Sequence, residues 1–138
     1  MWFGYKRNAS IDVKHGLIRK ISVTSANTPD FKAVKNVAEG GMVYYMDKGY
    51  DYTEVENELQ RISSHASTIH KNNNKQKDFD LDKWKTRIRM PFEGVFSKIN
   101  KRTRYRGKVK VFGQCVMESV AHNLKKAVKF SPEVSYSV

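Results

Sequence analysis

Met42-Val43-Tyr44-Tyr45-Met46 is a short apolar run that ends abruptly on Asp47-Lys48-Gly49-Tyr50. A run of that length between turn residues predicts a strand buried on both faces, of the kind found inside α/β sheets. Asp47 then falls at the carboxyl end of the strand, where open α/β sheets place their ligands. Upstream, Phe31, Val34 and Val37 mark a short helix that Glu39-Gly40-Gly41 is expected to end, glycine tolerating the positive φ of a C-cap. Further upstream, Phe3, Tyr5, Ala9, Ile11 and Val13 alternate with mostly polar residues. Lys14-His15-Gly16 follows as a turn, and Leu17 to Thr24 completes a β-hairpin.

Downstream, Thr53-Glu54-Val55-Glu56 has the pattern of a capping box, with Val55, Leu59 and Ile62 at helical spacing behind it. Ala66 to His70 predicts another short strand, and Lys71 to Lys77 a polar, exposed connection. A helix is expected around Leu81 and Trp84, running past Pro91, which either kinks it or starts a new one. Phe112, Val116, Val120, Leu124 and Val128 recur every four residues and mark a last helix. The order ββαβαβαα predicts a mixed α/β layout around one sheet, with residues 1–130 as the domain and 131–138 as a short tail.

The chain has 138 residues, 39% of them hydrophobic and 12% aromatic, which is enough for a core and argues against wholesale disorder. No stretch approaches the roughly 18 apolar residues of a spanning helix, and Met1 to Arg7 has no apolar signal segment. Cys115 is the single cysteine, which excludes a disulfide framework and a cysteine-based zinc site. A reducing, cytoplasmic setting is the expectation.

Charge is unevenly placed. The formal net charge is +12. Residues 1–82 carry 12 basic and 11 acidic side chains, whereas Lys83 to Lys129 carries 14 basic residues against Glu93 and Glu118. Such a stripe, with Tyr105 inside Lys101-Arg102-Thr103-Arg104-Tyr105-Arg106, points to a polyanion, and to nucleic acid first. It lacks the clean apolar face beside it that an anionic membrane surface calls for.

Two acids stand apart. Asp47 follows the apolar strand, and Glu93 is the lone acid among the nine basic residues from Arg87 to Lys110. Carboxylates brought from different elements onto Mg²⁺ are what phosphoryl-transfer sites need. The competing readings are structural: Asp47-Lys48-Gly49 is also an ordinary turn, and Glu93 is placed to pair with Arg89 one helical turn earlier. His15, His65, His70 and His122 have no metal-like spacing, and Cys115 reads as a small apolar residue of the last helix. Tyr44, Tyr45, Phe92 and Phe96 read as core aromatics.

These segments together resemble the DDE-type transposases of bacterial insertion sequences. The resemblance is carried by Phe3-Gly4-Tyr5-Lys6, Val13-Lys14-His15-Gly16-Leu17-Ile18, and Val23-Thr24-Ser25-Ala26-Asn27 with Asp30. It continues through Tyr45-Met46-Asp47-Lys48-Gly49-Tyr50, Arg89-Met90-Pro91-Phe92-Glu93-Gly94-Val95-Phe96-Ser97, and Lys101-Arg102-Thr103-Arg104-Tyr105-Arg106-Gly107. It implies an RNase H-like sheet with flanking helices and a three-carboxylate, Mg²⁺- or Mn²⁺-dependent site that cuts and joins DNA. Asp47 would be the second metal-binding carboxylate and Glu93 the third, with Arg89 in the arginine position of the signature around that glutamate. Lys98, Lys101, Arg102, Arg104, Arg106 and Lys108 would hold the phosphates of element-end and target DNA.

Two departures accompany the match. The signature's tyrosine position is Thr86, and its lysine position is Asn100, with Lys101 one place late. The family's first aspartate precedes the Phe-Gly-Tyr-Lys segment, so the resemblance implies an incomplete, N-terminally truncated sheet whose first strand is missing. Asp12, near the hairpin turn, is a stand-in candidate. The expectation is a chain inactive by itself and marginally stable. Its partners would be DNA and intact transposase or a second copy. The alternative is a non-catalytic DNA-binding remnant, and a basic RNA-associated domain would fit the charge alone.

Overall fold

The computed structural model describes residues 4–97 and 103–130. Strand β1 (Tyr5–Ile11) and strand β2 (Ile18–Ser25) form the expected antiparallel hairpin, with Tyr5 opposite Ser25 and Ala9 opposite Ile21. Its turn is tied by the Asp12 carboxylate, whose Oδ2 accepts from the His15 N–H at 2.8 Å. Gly16 takes φ +69° there, a conformation that suits glycine. A 3₁₀ turn (Asp30–Ala33) leads into the one-turn helix α1 (Val34–Val37), then β3 (Val43–Met46) and a second 3₁₀ turn (Lys48–Tyr50). Helix α2 (Thr53–Arg61), strand β4 (His65–Thr68), helix α3 (Phe79–Ser97) and helix α4 (Lys108–Phe130) complete the order.

β3 and β4 pair in parallel, Val43 beside His65 and Met46 beside Thr68. The parallel pair needs the α2 crossover between its strands, which Val55 and Leu59 hold down as fully buried side chains. Val34 and Ala38 join them in one apolar cluster, with Tyr44, Met46 and Ala66 packed against it. A second, separate cluster joins Val23 to Val111 and Cys115 of α4, with Ile21 beside them. Helices α1 and α2 thus cover the face that presents Tyr44 and Met46. On the other face, α3 meets Tyr45 through an edge-on ring contact with Trp84 at 5.9 Å, and Arg7 of β1 is ion-paired to Glu118 of α4.

Five sequence expectations are corrected by these elements. The strands do not form one sheet: among the described residues β1–β2 and β3–β4 are two separate ladders. β3 is not buried on both faces: Tyr44 and Met46 pack on the apolar cluster, whereas Val43, on the opposite face with Tyr45, is 53% exposed. The capping box is not made; Tyr52 is the N-cap residue and no side chain caps α2, since Thr53 is already its first helical residue. The short helix ends at Val37 with an extended Ala38, and the Gly40-Gly41 pair lies beyond its cap. Gly40 is needed for a different reason, because a Cβ there would meet the Ile62 carbonyl oxygen at 2.8 Å.

The fifth correction concerns α4. Val111, Cys115 and Ser119 are its buried face, while Phe112, Val120, Leu124 and Val128 of the apolar stripe are 41–73% exposed. Both rows repeat every four residues, but the stripe is one residue out of phase with the packed row, about 100° round the helix, so it stays beside the buried face and not on it. Pro91 lies inside one continuous α3. Tail residues 131–138 lie outside the described residues.

Candidate active site

β3 delivers Asp47 to its carboxyl end, as its apolar run requires. There Asp47 is the N-cap of the Lys48–Tyr50 turn, and its Oδ1 accepts from the Lys48 N–H at 2.7 Å. The carboxylate is half exposed, so the turn role leaves it reachable from solvent. Arg89, from α3, points its Nη1 to Asp47 Oδ1 at 3.7 Å. Glu93 follows Arg89 by one helical turn on α3, exposed, and makes no ion pair among the described residues. The pairing of Glu93 with Arg89 that helical spacing allowed is therefore not the one made: the arginine turns to Asp47.

Asp47, Arg89 and Glu93 all line one cavity of about 560 Å³ between β1 and β3. Tyr50 also reaches it, and burial pushes its phenol pKa up, with the Asp30 charge adding to the effect. Asp12 lines the far part of the same cavity, but its carboxylate is committed to the hairpin turn. The His15 N–H holds its pKa below the usual carboxylate range. The described residues contain no group of three His, Cys, Asp or Glu side chains fit to hold a metal ion. Carboxylate oxygens such as those of Asp47 and Glu93 are donors of the hard type that Mg²⁺ and Mn²⁺ take.

A scan against known families places residues 2–124 within the family of the transposase DDE domain. The chain belongs to that family. No curated protein and no solved structure matches it. Membership implies a role in DNA transposition, and no helix of the described residues is long and apolar enough to cross a membrane.

Thr86, where the resemblance implies a tyrosine, donates its hydroxyl to the Asp82 carbonyl at 2.8 Å. Arg104, Arg106 and Lys108 are exposed around the start of α4, while Lys98, Asn100, Lys101 and Arg102 lie outside the described residues. Phe92 is half-buried on the cavity wall. Cys115 is buried in α4, an apolar residue as its spacing suggested.

Sequence reasoning missed a polar knot below the strand ends. Asp51, 10% exposed, accepts from the Lys71 N–H at 2.8 Å, from Asn74 Nδ2, and faces His70 Nδ1 at 3.2 Å. Burial opposes ionisation of Asp51, but these donors outweigh it and its pKa is lowered. Lys85, buried in α3, donates to the Thr68 carbonyl at 2.7 Å. Together they fasten the β4–α3 connection and fix where α3 starts, at Phe79, nearly three turns before Arg89. No local motif marks this knot, since its members are spread from residue 51 to 85.

Proposed function

We propose that this chain supplies two of the metal-binding carboxylates, Asp47 and Glu93, of an RNase H-like DDE transposase domain acting on DNA by strand cleavage and strand transfer. The observation that carries the proposal is that both, with Arg89, line one cavity from β3 and α3. A divalent ion held there would polarise the scissile phosphate and activate the attacking oxygen. In cleavage, a water oxygen bonds to phosphorus as the P–O3′ bond breaks, which leaves a 3′-hydroxyl. In transfer, that hydroxyl attacks a target phosphate in line and the target's own 3′ oxygen leaves. Arg89 keeps Asp47 oriented and offers a cation to a phosphate, and Arg104, Arg106 and Lys108 neutralise backbone charge beside it. Lys98, Lys101 and Arg102, in the same basic stretch of the sequence, are proposed to share that role. Residues 4–130 hold two of the family's three acids, so the chain alone should bind Mg²⁺ weakly and not nick DNA.

Mn²⁺ titration followed by NMR tests the site without requiring activity. Broadening should centre on the amides around Asp47 and Glu93 and vanish in Asp47→Asn/Glu93→Gln. Equal broadening in that double variant would overturn the assignment. In the alternative reading, a DNA-binding remnant without chemistry, the same variant binds DNA unchanged and shows no Mn²⁺ site to lose.

A further inference from the structure

We propose that Thr103 and Gln114 are positioning residues for DNA binding: they hold the loop of Arg104 and Arg106 in place through a hydrogen-bonded strut anchored on β1. The strut starts at Arg7, whose Nη2 donates to Glu118 Oε2 of α4. Gln114, one helical turn before Glu118, donates its Nε2 to Glu118 Oε1 at 2.9 Å. The Thr103 hydroxyl donates to Gln114 Oε1 at 3.0 Å, and it accepts from the Tyr105 N–H at 3.1 Å. Arg7 and Glu118 are mostly buried, whereas Thr103 to Arg106 are exposed. The series therefore runs from a fixed ion pair at the packed side of α4 to the loop that carries the two arginines.

The sense of each bond is set from the buried end. A carboxylate paired with a guanidinium only accepts, so Gln114 turns its NH₂ to Glu118 and its carbonyl oxygen to Thr103. That oxygen also only accepts, so the single hydroxyl hydrogen of Thr103 goes to it and not to the Tyr105 carbonyl 3.2 Å away. The Thr103 lone pair is then left for the Tyr105 N–H, which closes a side-chain turn around Arg104. A loop tied at this point presents Arg104 and Arg106 from one backbone conformation, so less freedom is lost when they meet phosphates. The strut also accounts for Glu118, an acid that lowers the charge of a basic stretch and that polyanion binding alone gives no reason to keep. This inference rests on the reading of Arg104 and Arg106 as residues that meet phosphates.

The test uses the full chain and a duplex DNA oligonucleotide, with affinity read by fluorescence anisotropy at one low salt concentration. Thr103→Val and Gln114→Leu keep the net charge, and each should weaken binding about three- to tenfold. Thr103→Ser keeps the hydroxyl and should bind as the native chain does. In the free protein, Thr103→Val should speed hydrogen exchange at the Tyr105 amide. The deciding measurement places Thr103→Val and Gln114→Leu in an Arg104→Ala/Arg106→Ala background, at salt low enough for that background still to bind. It should bind more weakly than the native chain and lose nothing further, because the strut acts through the arginines. Three results would overturn the strut and leave the phosphate role standing: unchanged exchange at Tyr105, native affinity in Thr103→Val, or an undiminished loss in the arginine-free background. Native affinity in Arg104→Ala/Arg106→Ala would instead overturn the phosphate role, and this inference with it.

Discussion

Arg89 lies four residues before Glu93 on α3 and 3.7 Å from Asp47. At that distance it competes electrostatically with any cation that Asp47 would hold. Arg89→Ala should therefore raise Mn²⁺ affinity about two- to fivefold, measured by the same NMR titration; a fall would mean that the arginine's orientation of Asp47 outweighs its charge. Asp51 makes a second prediction. Its pKa is lowered in the fold by the Lys71 N–H, Asn74 and His70 acting against burial. A depressed carboxylate stabilises above its unfolded pKa of about 3.9 and loses that contribution as pH falls through the folded value. The midpoint of thermal unfolding should thus drop below about pH 4 in the native chain, and Asp51→Asn should flatten that part of the profile. An unchanged acid limb in the variant would contradict the assignment.

At the scale of elements, the two glycines near β3 separate close approach from open space. Gly40→Ala pushes a Cβ against the Ile62 carbonyl and should cost about 1–3 kcal/mol in urea unfolding. Gly49→Ala, which meets nothing within 4 Å, should be close to neutral. Leu59→Ala, at a fully buried position of α2, should cost about 2–5 kcal/mol. The elements themselves were legible in the sequence because their apolar periods are local: alternation gave the hairpin, and Val55 and Leu59 gave the buried face of α2. Asp47 was legible for the same reason, being the first polar residue after an apolar run. What the pattern could not carry was pairing. Nothing in Met42 to Met46 says which side of the strand has a neighbour, and α4 has apolar residues on more than one face, so its every-fourth-residue stripe pointed to the exposed one. The Asp51–His70 knot and the Arg7–Glu118 pair were illegible because long-range partners leave no periodic trace.

For the molecule as a whole, charge concentrated in the second half predicts how binding responds to salt. DNA affinity should fall steeply as salt rises, and neutralising Arg104, Arg106 and Lys108 should lower the slope by about one unit for each residue that touches phosphate. An affinity indifferent to salt would exclude the phosphate role, and preference for structured RNA over duplex DNA in competition would redirect it.

The divided sheet also bears on how the chain holds together. Its apolar residues form two clusters, one around Val34, Ala38, Val55 and Leu59 and one around Val23, Val111 and Cys115, and no strand ladder crosses between them. Cooperativity depends on shared contacts, so these halves should open as two foldons with different protection energies rather than in a single step. Helix α1, one turn long, is the main element that touches both. Melting should therefore be broader than a single two-state transition, and the two clusters should lose amide protection at different denaturant concentrations.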